Sequence, residues 1–255
     1  PIPEPQHQVV FTSDHGYKQG QWRIGTSKQH PYETDIRVPF IIRGPGIPRG
    51  ANHTRQLAGN IDLLPTLLEL AAGAEYVAAV APDGRSMASF LLPTHARTRS
   101  VADRPWRDAF LNEYLSVGTY WNDHSTCWAN GSQTLDECGG PMPRGPGPNQ
   151  PSTCHEASGV GTGNCYFVDS THSNSWRQLR VLNATHNLNY IEYDSQWLFD
   201  ATGPTGAGLQ HYELYDVASD PYQMHNLYLS TTNSTRAALH TQLATFYACR
   251  GVTCP

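Results

Sequence analysis

Gln8-Val9-Val10-Phe11-Thr12-Ser13 is a short β-branched and aromatic run that stops at Asp14-His15-Gly16. This pattern predicts a buried strand feeding a tight turn. Val38-Pro39-Phe40-Ile41-Ile42-Arg43, closed by Gly44-Pro45-Gly46, predicts a second interior strand. Between Asp62 and Ala72, residues Leu63, Leu64, Leu67, Leu68 and Leu70 recur at helical spacing. Asp62 is the expected N-cap, Pro65 is tolerated in the first turn, and Gly73 is the stop. A further strand signal lies at Phe110-Leu111-Asn112-Glu113-Tyr114. The alternation predicts an α/β fold with a mostly parallel sheet covered on both faces.

Working outward, Gly, Pro, Asn, Ser and Thr dominate from 116 to 175, and four of the six cysteines fall there. A loop this long is expected only if it is stapled. Beyond it, Arg177 to Leu182, Leu188 to Tyr193, Gln196 to Phe199 and Tyr212 to Val217 predict an antiparallel meander. A last helix from Ser234 to Ala248 places Leu239, Leu243, Phe246 and Tyr247 on one stripe to cover that sheet. Three segments follow: 1–115 as α/β core, 116–175 as a disulfide-stapled insert, and 176–255 as a small antiparallel α+β subdomain.

The chain has 255 residues, with Lys and Arg at 17 against Asp and Glu at 22, a net charge of −5. That weak acidity offers no electrostatic footprint for nucleic acid or an anionic membrane surface. No apolar run approaches the ~18 residues of a membrane helix. Gly at 22 and Pro at 19 exceed the usual share and predict turn-rich loops on a globular body. The sequence opens inside what reads as a strand, so it is expected to be the interior of a longer polypeptide.

Cys127, Cys138, Cys154 and Cys165 lack the paired C-x-x-C spacing of zinc sites, which favours disulfides with three pairings open. Cys249 and Cys254 enclose four residues and are expected to bond to each other. Sequons stand at Asn52, Asn130, Asn183 and Asn233. With the even cysteine count they predict an oxidising, secreted or lysosomal setting.

The sharpest chemical constellation is Ser13-Asp14-His15-Gly16 at the end of a strand, followed by Lys28 and then His30, Tyr32, Glu33 and Asp35. In open α/β sheets ligands sit beyond the carboxyl ends of strands. An Asp oxygen and a His nitrogen are both competent ligands for a divalent cation. Turn-capping Asp residues and solvated lysines are common, so composition alone equally allows a bland turn. The positive charge of Lys28 suits a clamp on a tetrahedral oxyanion beside a metal.

Val10-Phe11-Thr12-Ser13-Asp14-His15-Gly16-Tyr17, Gly20-Gln21-Trp22, Lys28, Tyr32-Glu33-Thr34-Asp35-Ile36-Arg37-Val38-Pro39 and Arg43-Gly44-Pro45-Gly46-Ile47 together resemble the type I sulfatases. The resemblance continues through Asn60 to Leu68, Asp83-Gly84-Arg85-Ser86, Glu213-Leu214-Tyr215-Asp216, Asp220 to Gln223 and Asn226-Leu227. The N-acetylglucosamine-6-sulfatase and arylsulfatase branch is the most similar, although His15 resembles the iduronate-sulfatase-like branch. The resemblance implies an alkaline-phosphatase-like fold and hydrolysis of sulfated sugars, such as the N-acetylglucosamine 6-sulfate of glycosaminoglycans, or of aryl sulfates. It also implies a bound Ca²⁺ with Asp14 and His15 as ligands, and sulfate contacts from Lys28 and Lys18.

None of the six cysteines lies in the C-x-P-S-R or C-x-A-x-R context from which the family's formylglycine nucleophile is made. The family's paired metal-binding aspartates are also missing. The chain therefore resembles the carboxyl-terminal part of a sulfatase, expected to be inactive without an amino-terminal half of the same polypeptide. Two alternatives accompany this reading: a metal-dependent phosphodiesterase of the same superfold, and a secreted glycan-binding pseudo-sulfatase in which Trp22, Tyr32, Trp121 and Trp128 stack on sugars.

Overall fold

The computed structural model describes residues 7–23, 28–93, 105–115, 174–194, 199–200, 203–204, 210–249 and 254. The inner four cysteines, Asn130, Trp121 and Trp128 lie outside the described residues.

Strand β1, Val9–Thr12, pairs with β2, Phe40–Arg43, in register Val9↔Arg43 to Thr12↔Phe40. The pairing is antiparallel, which corrects the expected parallel arrangement. A continuous apolar run signals a strand made to be covered on both faces but carries no information on strand direction. The turn α1, Glu33–Ile36, lies between the two strands. Helix α2, Leu63–Ala72, ends at Gly73, whose φ of 109° suits only glycine, and α3, Ala74–Val80, follows directly. The short α4, Ala88–Leu91, buries Ala88 and Leu91.

Asp62 does not cap α2 with its side chain as expected. Its fully buried carboxylate accepts from Gly59 N, Arg85 N and both terminal nitrogens of Arg107 at 2.7–2.9 Å. A bidentate guanidinium competes successfully for oxygens that would otherwise turn toward the first helical amides.

The larger sheet has the order β3-β4-β5-β8, all antiparallel: β3, Ala109–Tyr114; β4, Trp176–Leu182; β5, Asn187–Asp194; β8, Gln210–Asp216. The small pair β6, Phe199–Asp200, and β7, Gly203–Pro204, lies in the connection from β5 to β8. Strand β3, read from sequence with the first segment, joins the carboxyl-terminal sheet instead. Period-two alternation gives the sheet two distinct faces. One face sends Leu179, Val181, Tyr190 and Leu214 against Leu239, Leu243 and Phe246 of helix α5, Asn233–Ala248. Tyr247 is half exposed and lies under the guanidinium of Arg177 rather than in that core. The other face carries Trp176, Gln178, Asn189, Ile191, Tyr193, Glu213 and Tyr215, and it receives the segment around Tyr32 and Ile36.

Cys249 and Cys254 form a disulfide. Asn52, Asn183 and Asn233 are exposed. No helix among the described residues is long and apolar enough to cross a membrane.

Candidate functional site

Strand β1 delivers its last residues to a tightly held turn. The Asn60 side-chain amide donates to the carbonyls of Ser13 and Asp14, both at 3.1 Å. Ser13 Oγ donates to the His15 carbonyl at 2.8 Å, and Gly16 N donates to the Asp35 carbonyl at 2.7 Å. The backbones approach so closely that a Cβ on Gly16 would lie 1.9 Å from the Thr34 carbonyl oxygen. Here the requirement for glycine comes from close approach.

Within that turn Asp14 and His15 converge. Asp14 Oδ2 lies 3.1 Å from His15 Nε2, and the Asp14 side chain is four-fifths exposed. His15 Nδ1 is 2.6 Å from the Gly16 carbonyl, an acceptor only, so Nδ1 carries the proton and Nε2 presents a lone pair. Lys28 Nζ lies 2.5 Å from that same Nε2. A carboxylate oxygen and an imidazole lone pair facing each other repel unless a cation lies between or beside them, and the Lys28 ammonium does so here. The Asp14 carboxyl lies below its usual range. Its desolvation opposes this, and is outweighed by a positive charge on His15 when its ring is protonated, by the backbone amides of Asp14 and His15, and by the Lys28 ammonium.

The fold thus brings Lys28 to the adjacent pair Asp14 and His15, thirteen residues before it. Lys18 stands elsewhere: its ammonium is fully enclosed, donating to Asp35 Oδ1 at 3.0 Å and lying 3.0 Å from His30 Nδ1. Burial, followed by the adjacent Lys18 charge, lowers His30 to about 3, which keeps it neutral and lets Nδ1 accept from Lys18. The same Asp35 supplies the carbonyl that holds Gly16, so Lys18 connects to the turn through Asp35. Sequence reasoning gave Asn60 no role in this site. An Asn preceding a helical turn looks like an ordinary cap, and nothing local reveals that its amide reaches across to residues 13 and 14.

The donor set fits part of a divalent cation site. A carboxylate oxygen suits Ca²⁺, and a neutral imidazole nitrogen serves divalent metals generally. Ca²⁺ takes about 6–8 ligands, and among the described residues no group of three or more His, Cys, Asp or Glu side chains converges. Asp14 and His15 alone present two donors of a suitable kind, short of a full coordination set.

Of the aromatics read as sugar platforms, Tyr32 is packed against Trp22 at 5.2 Å and Tyr215 at 6.3 Å, inside the fold. Burial, then the nearby Glu213 charge, pushes its hydroxyl well above the usual range. Trp22 adopts φ 55° and donates from Nε1 to the Tyr222 carbonyl at 3.0 Å.

Residues 6–74 match the family model described as Sulfatase. An N-acetylglucosamine-6-sulfatase of Capra hircus is 26% identical over 249 residues, 96% of this chain and 35% of that protein. An extracellular sulfatase, the SULF-1 homolog of Drosophila melanogaster, is 42% identical over 105 residues, covering 41% of this chain and 9% of that protein. Among solved structures, a protein in complex with its substrate D-glucosamine-2-N,6-O-disulfate aligns with TM-score 0.51 and 20% identity, covering 92% of this chain and 32% of that one. The likeness in structure shows the fold, the alkaline-phosphatase-like architecture of the sulfatases. The chain spans about a third of the length of the Capra hircus relative.

Proposed function

We propose that this chain, a relative of the sulfatases, supplies one side of a sulfate-ester hydrolase site acting on sulfated sugars, such as the N-acetylglucosamine 6-sulfate of glycosaminoglycans, or on aryl sulfates. The observation that carries this reading is the convergence of Asp14, His15 and Lys28 at the end of β1. Similarity to an N-acetylglucosamine-6-sulfatase and an extracellular sulfatase supports the choice of sulfate esters and of sugars among them.

In this reading Asp14 and His15 hold a Ca²⁺, which when bound would offset charge on the sulfate oxygens. Lys28 contacts a non-bridging oxygen of the sulfate, exchanging its bond to His15 Nε2 for one to the anion. Net hydrolysis breaks the ester sulfur–oxygen bond, with water supplying both the oxygen that completes sulfate and the proton taken up by the departing sugar or aryl oxygen. Charge grows on that oxygen as the bond stretches, and an ammonium fixed beside the sulfate lowers the barrier most when it is already in place. Asn60, Gly16 and the enclosed Lys18–Asp35 pair keep the turn rigid, so little reorganisation remains for the reaction.

The reading includes a nucleophile and further metal ligands from an amino-terminal portion of the same polypeptide, with formylglycine as the expected nucleophile. The exposed apolar side chains of the β1–β2 pair and α2 support it: Val9, Phe11, Ile41 and Leu64 are each more than half exposed. Large apolar side chains left exposed in this way, with Phe11 and Ile41 directly paired, suit a covering partner. The Cys249–Cys254 disulfide and the exposed sequons Asn52, Asn183 and Asn233 support a secreted or lysosomal glycoprotein.

The test is Asp14→Ala in the full-length polypeptide, assayed for sulfate release against a Ca²⁺ titration. The expected outcome is loss of Ca²⁺-dependent release by at least about a hundredfold, the scale of removing a group that stabilises transition-state charge. Unchanged release sinks the assignment. Retained binding of a sulfated sugar by the unaltered protein, with no release under any condition, would move the function to glycan binding.

A further inference from the structure

The segment immediately after Lys28 is gripped by side chains of the carboxyl-terminal sheet. The Gln29 carbonyl accepts from Trp176 Nε1 and from the Asn174 side-chain amide, both at 2.9 Å. The Pro31 carbonyl accepts from the side-chain amides of Gln178 and Asn189, also both at 2.9 Å. Two alternate carbonyls in three residues therefore each receive two donors, three of the four from one sheet face and the fourth from Asn174 just before β4. The donors are themselves linked across strands. Gln178 Nε2 donates to Asn189 Oδ1 at 2.6 Å, and Asn112 of β3 donates to Gln178 Oε1 at 2.7 Å. Farther along, Gln223 accepts from Glu33 N at 2.8 Å and Arg180 Nε bonds the Glu33 carboxylate at 2.8 Å.

Gln178 and Asn189 are both fully buried near the middle of the two central strands. Buried amides at such positions carry a desolvation cost that an aliphatic side chain would avoid, and their hydrogen bonds return it only while every partner stays in place. Aliphatic residues would hold the two layers together but would leave the 29–33 segment free to slide. Directional donors aimed at specific carbonyls set its position, and Lys28 lies one Cα step, ~3.8 Å, upstream of Gln29.

We propose that this polar face is a clamp that positions Lys28, with Gln178, Asn189 and Trp176 as positioning residues for sulfate binding. The inference rests on the functional reading of Lys28 above. It gives the carboxyl-terminal sheet, which contributes no atom to the Asp14–His15–Lys28 group, a share in anion affinity.

The test uses the full-length polypeptide with Asn189→Asp, which keeps the shape and the acceptor for Gln178 but removes the donor to Pro31. Trp176→Phe is a milder second variant that removes only the donor to Gln29. Leu243→Ala, in the core on the opposite face of the sheet, is the stability control. Competitive inhibition by inorganic sulfate of aryl-sulfate hydrolysis, and amide hydrogen exchange across residues 28–36, are the two readouts. The clamp predicts about tenfold weaker inhibition, the equivalent of one buried hydrogen bond, with faster exchange in 28–36 for both donor variants. It predicts unchanged inhibition and local exchange for the control despite its lower Tm. The proposal is overturned if the donor variants match the control, or if the control weakens sulfate inhibition equally. Absence of sulfate release by the unaltered polypeptide would instead refute the functional reading, and the clamp would then stand or fall on the exchange result.

Discussion

Asp62→Ala removes the hub on which the first segment is organised. The carboxylate is fully buried and Arg107 nearly so, and they meet through paired contacts of 2.7 and 2.8 Å. Removing one partner of a buried ion pair leaves an uncompensated charge and costs about 3–5 kcal/mol. The Gly59 and Arg85 amides, at 2.9 and 2.7 Å, lose their acceptor as well, at about 1–3 kcal/mol each before water enters. Water reaching the Arg107 end recovers part of this, so we expect a net loss of about 4–6 kcal/mol. That is comparable with the whole stability of many domains. Urea denaturation provides the assay, followed through Trp106, whose ring lies 4.9 Å from the Arg107 guanidinium. Arg107→Met and the double variant complete a cycle, and the two single losses should overlap by more than about 2 kcal/mol because they break one interaction. A loss below about 1 kcal/mol for Asp62→Ala, or additive single losses, would refute the reasoning.

Gly16→Ala drives a methyl into the Thr34 carbonyl. It should lower stability by about 1–3 kcal/mol and weaken sulfate-ester turnover, as read by denaturation and kinetics on the same preparation. Burial and the Lys18 charge hold His30 down to about 3, against about 6.5 for an ordinary imidazole, so between those values the unfolded chain takes up a proton that the folded chain refuses. Stability should therefore fall as pH drops below about 6.5, and His30→Gln should flatten that part of the profile; a slope unchanged in the variant counts against it. Non-reducing peptide mapping should find Cys249 joined to Cys254, and recovery of either as an alkylated free thiol would contradict the pairing.

The elements with strong local periodicity were legible in the sequence. Helix α2 and helix α5 fall within a residue of the expected positions, because Leu and Phe at helical spacing leave little choice. The strands at Arg177 to Leu182, Leu188 to Tyr193 and Tyr212 to Val217 were equally plain. Partner choice was not. Nothing in Phe110 to Tyr114 indicates that its neighbour in the sheet is Trp176 to Val181, because pairing across a long separation is decided by tertiary packing. In the candidate site, Asp14 and His15 stood out by residue type and position, and Lys28 through the resemblance to the sulfatases. Gln178, Asn189 and Asn60 did not, since amides read as turn or surface residues until the carbonyls they reach are known.

The direct pairing of Tyr114 with Trp176 places the two ends of the intervening segment side by side. Halving a loop alters closure entropy by only about 0.6 kcal/mol, so the length of chain between Leu115 and Asn174 has little bearing on the pairing of β3 with β4. A short hairpin grafted in place of residues 116–173, with Asn174 kept, should leave β3 and β4 zipped together and the contact from Asn174 to Gln29 intact.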